Sequence, residues 1–287
     1  MRYHACPCCQ SPLEWKSVIL CCAGCGLWQA SVEPRILDEH TWLQLDEQAR
    51  SSALRQLRQH NYRLILKQLS RLLVPNASRV LDVGCAHGWF VVQAVAAGFV
   101  AEGIEPDPRL ARFAREQGVA VTQGFFSSAL PAEKRFNALV FNDVFEHLPE
   151  PIATLGACAR HLDAGGLLVL NIPLASGVFF SLSRALDRAG IKAPWRRQWQ
   201  LDFPSPHLFF YRRHHLQRMA DAAGFDLLQS TSLPSIIARG LWSRMQMDPT
   251  KPRWVYALLY PLLLVMVPLS RLLPADIGLL IFRKRDS

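Results

Sequence analysis

The run Val80-Leu-Asp-Val-Gly-Cys-Ala-His-Gly88 constrains the fold of this 287-residue chain more than any other segment. A short apolar stretch, Arg79–Val83, ends in Gly84, and an Ala/Val-rich stretch of helical character follows Gly88. Glycines at such a bend allow positive φ and let a ligand come close to the backbone. A pyrophosphate-binding turn needs G-x-G-x-x-G, because the phosphates rest on the helix N-terminus. Ala86 and Trp89 stand at the second and third of those positions, so the spacing is G-x-x-x-G, with Asp82 just ahead of it. Glu105 lies 21 residues beyond Gly84, at the end of the next strand. A carboxylate there can grip the hydroxyls of a nucleoside ribose. The ligand implied has an adenosine-like sugar and no phosphates.

The rest of the chain repeats this rhythm. Strands are predicted at Val100–Ile104, Val119–Thr122, Ala138–Phe141, Gly166–Asn171, Asp226–Thr231 and Gly278–Phe282. Helices are predicted over Asp107–Gly118, with Asp107 as N-cap and Gly118 as C′ residue, and over His214–Ala223. Alternating strands and helices argue for βαβ units and a doubly wound, mostly parallel α/β sheet. Upstream, Thr41–Leu73 has leucines on one helical face until Pro75-Asn76 ends it. This divides the chain into 1–31, a helical linker or cap at 32–75, and a main domain at 76–287 carrying insertions at 174–206 and 252–275. A composition of 50% hydrophobic and 19% charged residues excludes disorder, collagen and a disulfide-stapled miniprotein.

Four blocks of this sequence resemble class I S-adenosylmethionine-dependent methyltransferases. They are Val80–Gly88, Gly103-Ile-Glu-Pro-Asp107, Phe136–Leu148 and His161–Pro173, in family order. The resemblance implies a Rossmann-like, seven-stranded sheet with one reversed edge strand, and S-adenosyl-L-methionine as cofactor. It implies that Gly84, Cys85, Ala86 and Gly88 approach the cofactor's methionine and adenosine parts, with Asp82 nearby. Glu105 would accept from both ribose hydroxyls beside Pro106, and Asn142 and Asp143 would lie between cofactor and substrate. Three positions depart from the family pattern: Ala86 stands where Gly is usual, Asn137 where Asp is usual, and Gln123–Ser127 lacks the acidic residue that often meets the adenine. Phe125 and Phe126 are candidates to wall the adenine instead.

A sulfonium methyl is already activated, so such an enzyme mainly aligns a nucleophile and excludes water. A hydroxyl acceptor also needs a base. His147, in the Glu146-His147 pair after the fourth strand, is the first candidate and His207 the second; a purely structural histidine is the alternative for each.

Six of the eight cysteines fall in the first 25 residues. Cys6-Pro-Cys-Cys9 and Cys22-Ala-Gly-Cys25 form two C-x2-C knuckles, a spacing that suits four thiolates around a structural Zn²⁺ in a small ribbon. Cys8 and Cys21 leave the ligand choice ambiguous by one residue, and an iron–sulfur site or a metal-free redox pair is the competing reading. The N-terminus lacks an apolar signal region, so a cytoplasmic location is expected. The segment 1–31 has no basic stripe, so nucleic acid is not the expected partner.

The charge is uneven. Residues 184–287 hold 16 Lys/Arg against 7 Asp/Glu, whereas 1–183 are balanced, so the net +9 lies wholly in the last third. Trp254–Ser270 has no charged residue but contains Pro261 and Pro268. A spanning helix there would strand Gly278–Phe282 across the bilayer, so a helix at the inner face of the membrane, aided by nearby cations, is expected, with a buried cap or a dimer contact as the alternative. In the first insertion, Arg196 and Arg197 are candidates to hold an anion, and Trp195 and Trp199 to stack on a ring. The substrate expected is a small molecule, glycan or lipid-linked intermediate. An RNA or protein methyltransferase using the ribbon for recognition, and a non-catalytic cofactor-binding scaffold, are the alternatives.

Overall fold

A computed structural model describes residues 3–15, 17–35, 47–246 and 253–286. The Gly84 bend sits at the centre of a seven-stranded sheet made of β3 (Arg79–Val83), β4 (Val100–Glu105), β5 (Val121–Gln123), β6 (Phe136–Asn142), β7 (Leu162–Pro173), β9 (Phe225–Leu233) and β10 (Ile277–Lys284). Their order is β5-β4-β3-β6-β7-β10-β9. The pairs among β3 to β7 are parallel, while β10 runs antiparallel to both of its neighbours. The reversed strand is therefore not at the edge, as the family resemblance implied. β10 slots between β7 and β9, which buries its Leu279–Phe282 core on both sides.

Both faces of the sheet are covered, as its near-continuous apolar central strands require. On one face lies α1 (Glu47–Leu72), whose Tyr62, Ile65, Leu66 and Leu69 pack with Val80, Val140, Val169 and Ile281. The expected helix began at Thr41; residues 41–46 lie outside the described ones. Beside it runs α2 (Trp89–Ala96), which contributes Phe90 and Ala94. α3 (Pro108–Glu116) follows β4, capped as expected by Asp107, whose carboxylate accepts the Arg109 N–H at 2.9 Å. The opposite face carries Leu81, Leu139, Phe141 and Leu168, packed with Leu155 of α4 (Pro151–His161) and with Leu216 and Met219 of α7 (Arg213–Ala222). Emptying the Phe141 site with alanine would cost about 3–5 kcal/mol.

The cysteine segment joins that second face. β1 (Ile19–Cys21) and β2 (Trp28–Ala30) form a hairpin, and β8 (Phe209–Phe210) adds a third strand to it. Cys6, Cys22 and Leu27 share one core with Phe209, Tyr211 and Leu216. The His215 ring bonds the Cys25 carbonyl at 2.9 Å.

The first insertion contains α5 (Val178–Arg188) and α6 (Ala193–Gln198). Neither Trp195 nor Trp199 lines the central cavity. Both are buried in a cluster with Trp28, Phe180 and Phe210, because two large indoles facing a third ring bury more area as core than at a rim. Arg196 is committed to Asp202 at 2.6 Å, and neither it nor Arg197 lines the central cavity.

The apolar run forms α9 (Arg253–Leu269), following α8 (Leu241–Met245). It continues through Pro261. Among the described residues no helix is long and apolar enough to cross a membrane. Trp254, Leu258, Leu262 and Val265 are each more than half exposed.

Candidate active site

A cavity of about 800 Å³ opens at the C-terminal ends of β3, β4 and β6. In a doubly wound sheet that is where the helices on the two faces part and leave a crevice. Gly84, Ala86, Glu105, Pro106, Phe125, Phe126 and Asp143 line it.

The bend after β3 takes the conformation its glycines permit: φ is +70° at Gly84, +46° at Ala86 and +73° at Gly88. A Cβ on Gly84 would stand 2.8 Å from Val144 Cγ2, and one on Gly88 would stand 2.9 Å from Val119 Cγ2. Gly84 therefore lets the chain pass against the β6 loop, and Gly88 lets α2 start close to the sheet. Ala86 holds the middle of the bend without a glycine.

Glu105 is 5% exposed. One carboxylate oxygen accepts the Ala86 N–H at 2.8 Å and the other the Asp107 N–H at 2.9 Å. The carboxylate therefore locks the bend to the end of β4, while each oxygen keeps a second lone pair for a further donor. Burial raises its pKa to about 7, against the opposing pull of the two amide bonds. Asp82 lies behind the bend, out of the cavity. It accepts from Asn142 Nδ2 at 2.9 Å, whose own Oδ1 accepts from Asn171 Nδ2 at 3.3 Å. Burial raises Asp82 to about 7 as well. Asn171 reaches the cavity wall, so this buried relay ties β3, β6 and β7 together beneath it.

Ten residues were expected near the cofactor, and six line the cavity: Gly84, Ala86, Glu105, Pro106, Phe125 and Asp143. Asp82, Cys85, Gly88 and Asn142 do not. The Cys85 side chain turns away to pack with Val91, Ala114 and Val119, against the space left by Gly103. Phe126 is held edge-on to Phe141, while Phe125 is 48% exposed at the rim.

At the other end of the cavity the two candidate bases meet. The His147 and His207 rings lie 4.7 Å apart at a steep angle. Glu146 Oε1 is 3.8 Å from His147 Nε2 and 3.9 Å from His207 Nε2. Glu146 is fully buried, and burial together with the neighbouring Asp143 carboxylate pushes its carboxyl well above the usual range. His147 Nδ1 faces the Pro206 carbonyl at 2.8 Å, and His207 Nε2 faces Gln200 Nε2 at 2.9 Å.

Sequence reasoning missed the α1 wall. Arg58, Asn61 and Tyr62 line the cavity from a helix that reads only as a linker or cap, and Arg58 is the cation whose field opposes the raised pKa of Asp143. A polar Arg-x-x-Asn-Tyr stretch on an otherwise leucine-rich helical face is the signal that could have marked it.

In the cysteine segment, Cys6, Cys9, Cys22 and Cys25 bring their sulfurs within 4.8 Å of one another. Cys6 and Cys25 are 3.6 Å apart, as are Cys9 and Cys22. Thiolates bound at about 2.3 Å to a tetrahedral zinc ion stand roughly 3.8 Å apart, so this donor set fits one. Cys8 is buried in the core and Cys21 exposed, both outside the cluster.

A parallel sheet with one reversed inner strand, a glycine bend and a carboxylate closing the second strand define the Rossmann-like methyltransferase fold. The chain belongs to the family described as Methyltransferase domain, whose model matches residues 54–230. A ubiquinone biosynthesis O-methyltransferase of Xanthomonas axonopodis pv. citri (strain 306) is 33% identical over 125 residues, 41% of this chain and 52% of that protein. The chain thus spans about half the length of the curated relatives it matches. Among solved structures, a chain in the complex of the Haloferax volcanii Trm112 methyltransferase activator with a methyltransferase superposes with TM-score 0.58 and 15% identity, over 83% of this chain and 94% of that one. The mycolic acid cyclopropane synthase CmaA1, complexed with SAH and CTAB, gives TM-score 0.52 and 18% identity over 75% and 81%. These two likenesses show the fold alone.

Proposed function

We propose that this protein transfers a methyl group from S-adenosyl-L-methionine to a hydroxyl of a small-molecule acceptor at a membrane surface. One observation carries the reading: Glu105 closes the bend with one lone pair of each oxygen and leaves the others for the two ribose hydroxyls. No phosphate cradle accompanies it, because Ala86 and Trp89 break the dinucleotide pattern. The cavity, at about 800 Å³, has room for a nucleoside and an acceptor together.

S-adenosyl-L-methionine supplies an activated methyl on a sulfonium. The chain holds the sugar at Glu105, walls the base at Pro106 and Phe125, and carries the amino-acid end along Gly84 and Ala86. Asp143, at φ +55°, separates this half from the acceptor half. Glu146, His147 and His207 border the acceptor half, where the hydroxyl's proton has to be lost. The likeness to the Xanthomonas ubiquinone biosynthesis O-methyltransferase supports a small acceptor bearing a hydroxyl.

Two further assignments belong to this reading. Cys6, Cys9, Cys22 and Cys25 hold a structural Zn²⁺, all four positions being filled by thiolates with none left for substrate. The exposed apolar face of α9 lies on the membrane and favours a lipid-linked acceptor, the basic last third meeting anionic headgroups. Calorimetry with S-adenosylhomocysteine tests the nucleoside site, and labelled methyl transfer to membrane and soluble cell fractions tests the acceptor class. No heat with the nucleoside overturns the proposal.

A further inference from the structure

The Glu146 carboxylate is fully buried and lines the cavity, and beyond its own backbone amide neither oxygen has a hydrogen-bond partner among the described residues. An ionised carboxylate with so little compensation is costly in such a place, so this one calls for a proton or a cation. Two imidazole nitrogens face it, at distances too long for hydrogen bonds.

Their second contacts fix the protonation pattern. His147 Nδ1 lies 2.8 Å from the Pro206 carbonyl, which can only accept, so the proton of the neutral ring sits on Nδ1 and Nε2 presents a lone pair toward Glu146. Ser205 Oγ adds a contact to the same Nδ1 at 3.2 Å. The Gln200 amide nitrogen, 2.9 Å from His207 Nε2, can only donate, so that Nε2 is unprotonated too. One nitrogen of each ring and one carboxylate oxygen thus lie within 4.8 Å of one another, and an ion among them would take over the His207 Nε2 lone pair that accepts from Gln200. Bonds of about 2.1 Å allow ligand atoms to stand up to roughly 4.2 Å apart, so closure needs shifts of only tenths of an ångström.

We infer that Glu146, His147 and His207 form a divalent-cation site facing the acceptor half of the cavity. Two imidazoles and one carboxylate suit a first-row transition ion and leave coordination positions open for an exogenous oxygen ligand. In this site the histidines act as ligands, and an acceptor hydroxyl bound at an open position is acidified by the ion, its proton passing to cavity water. The inference deepens the proposed function by naming how the acceptor is held, and it rests on that reading only for the identity of the oxygen ligand.

Mn²⁺ is the appropriate probe, because a four-thiolate site disfavours it. When the full-length protein is titrated with Mn²⁺ and free ion is followed by electron paramagnetic resonance, one equivalent should bind. Glu146→Gln and His207→Ala should each weaken uptake at least tenfold, and Cys21→Ser, at an exposed cysteine outside the thiolate cluster, should leave the stoichiometry unchanged. Pulsed resonance on the wild-type complex should show two imidazole nitrogens, which decides the matter even where a variant misfolds. Absence of uptake at millimolar Mn²⁺, or a bound ion without imidazole coupling, overturns the site. Calorimetry with S-adenosylhomocysteine on the same sample reads the nucleoside site separately, so either reading can fail alone.

Discussion

The Leu208 amide donates to the Glu146 carbonyl at 2.9 Å, and the Leu208 carbonyl accepts the Ala30 N–H at 2.8 Å. One residue therefore bridges the turn that carries Glu146 and His147 to the cysteine hairpin. On either side of Leu208 lie His207, in the cavity wall, and Phe209, paired with Gln29 in β8. The cysteine segment is thus the support on which the His147–His207 end of the cavity is built.

From this support follows the effect of losing the thiolate set. Cys22→Ser should abolish stoichiometric zinc in elemental analysis and lower stability by about 3 kcal/mol or more, because a structural ion's binding energy is folding energy. The drop should appear in thermal unfolding of the whole chain, since Cys6 and Cys22 share a core with Phe209 and Leu216. A variant that keeps both its zinc and its melting temperature contradicts the assignment.

Glu105→Gln keeps the shape of the side chain but removes the charge that two ribose hydroxyls would use. With charge-assisted hydrogen bonds exceeding neutral ones by about 1–1.5 kcal/mol each, affinity for S-adenosylhomocysteine should fall roughly 30- to 150-fold. Isothermal calorimetry checks it. Unchanged affinity would remove the sugar from this carboxylate.

The pH dependence follows from the same group. Burial raises Glu105 to about 7 in the folded chain, above its unfolded value. The stability associated with this raised value is present at acid pH and is lost as pH rises through 7. Ligand binding runs the opposite way, because the hydroxyls need the carboxylate. Affinity for S-adenosylhomocysteine should therefore fall as pH is lowered from 8 to 6 while the unliganded form loses none of Glu105's contribution, and Glu105→Gln should flatten most of that slope.

Gly84→Ala tests the bend. Its φ of +70° and the 2.8 Å approach of Val144 act together, so about 1–3 kcal/mol of stability should be lost, with nucleoside affinity reduced alongside. Chemical denaturation supplies the first number and calorimetry the second. A variant as stable as the parent would mean that the bend relaxes without cost.

On α9, Leu258→Asp with Leu262→Asp should leave the fold intact, since both side chains are more than half exposed. Co-sedimentation with vesicles containing anionic lipid should drop at least several-fold. If sedimentation persists at the parental level, the face does not meet lipid.

The strands, the bend and Glu105 were legible because each depends on local rules: apolar runs of strand length, glycine where φ must be positive, and a carboxylate at a fixed distance along a βαβ unit. The two cysteine knuckles were legible for the same reason. What the sequence by itself determined is the fold class and the Gly84–Glu105 end of the cavity. The tertiary structure decided everything that depends on residues distant in the chain. It placed β10 inside the sheet, where its apolar Leu279–Phe282 core is buried between β7 and β9. It turned Trp195 and Trp199 into core, brought Arg58 and Asn61 of α1 to the cavity, and chose Cys6, Cys9, Cys22 and Cys25 over Cys8 and Cys21. It set His207 against Glu146, a proximity between residues 61 positions apart that no periodicity encodes. Local backbone preference fixes which segments become strands and turns, whereas burial of apolar area around them selects which distant polar groups end up face to face.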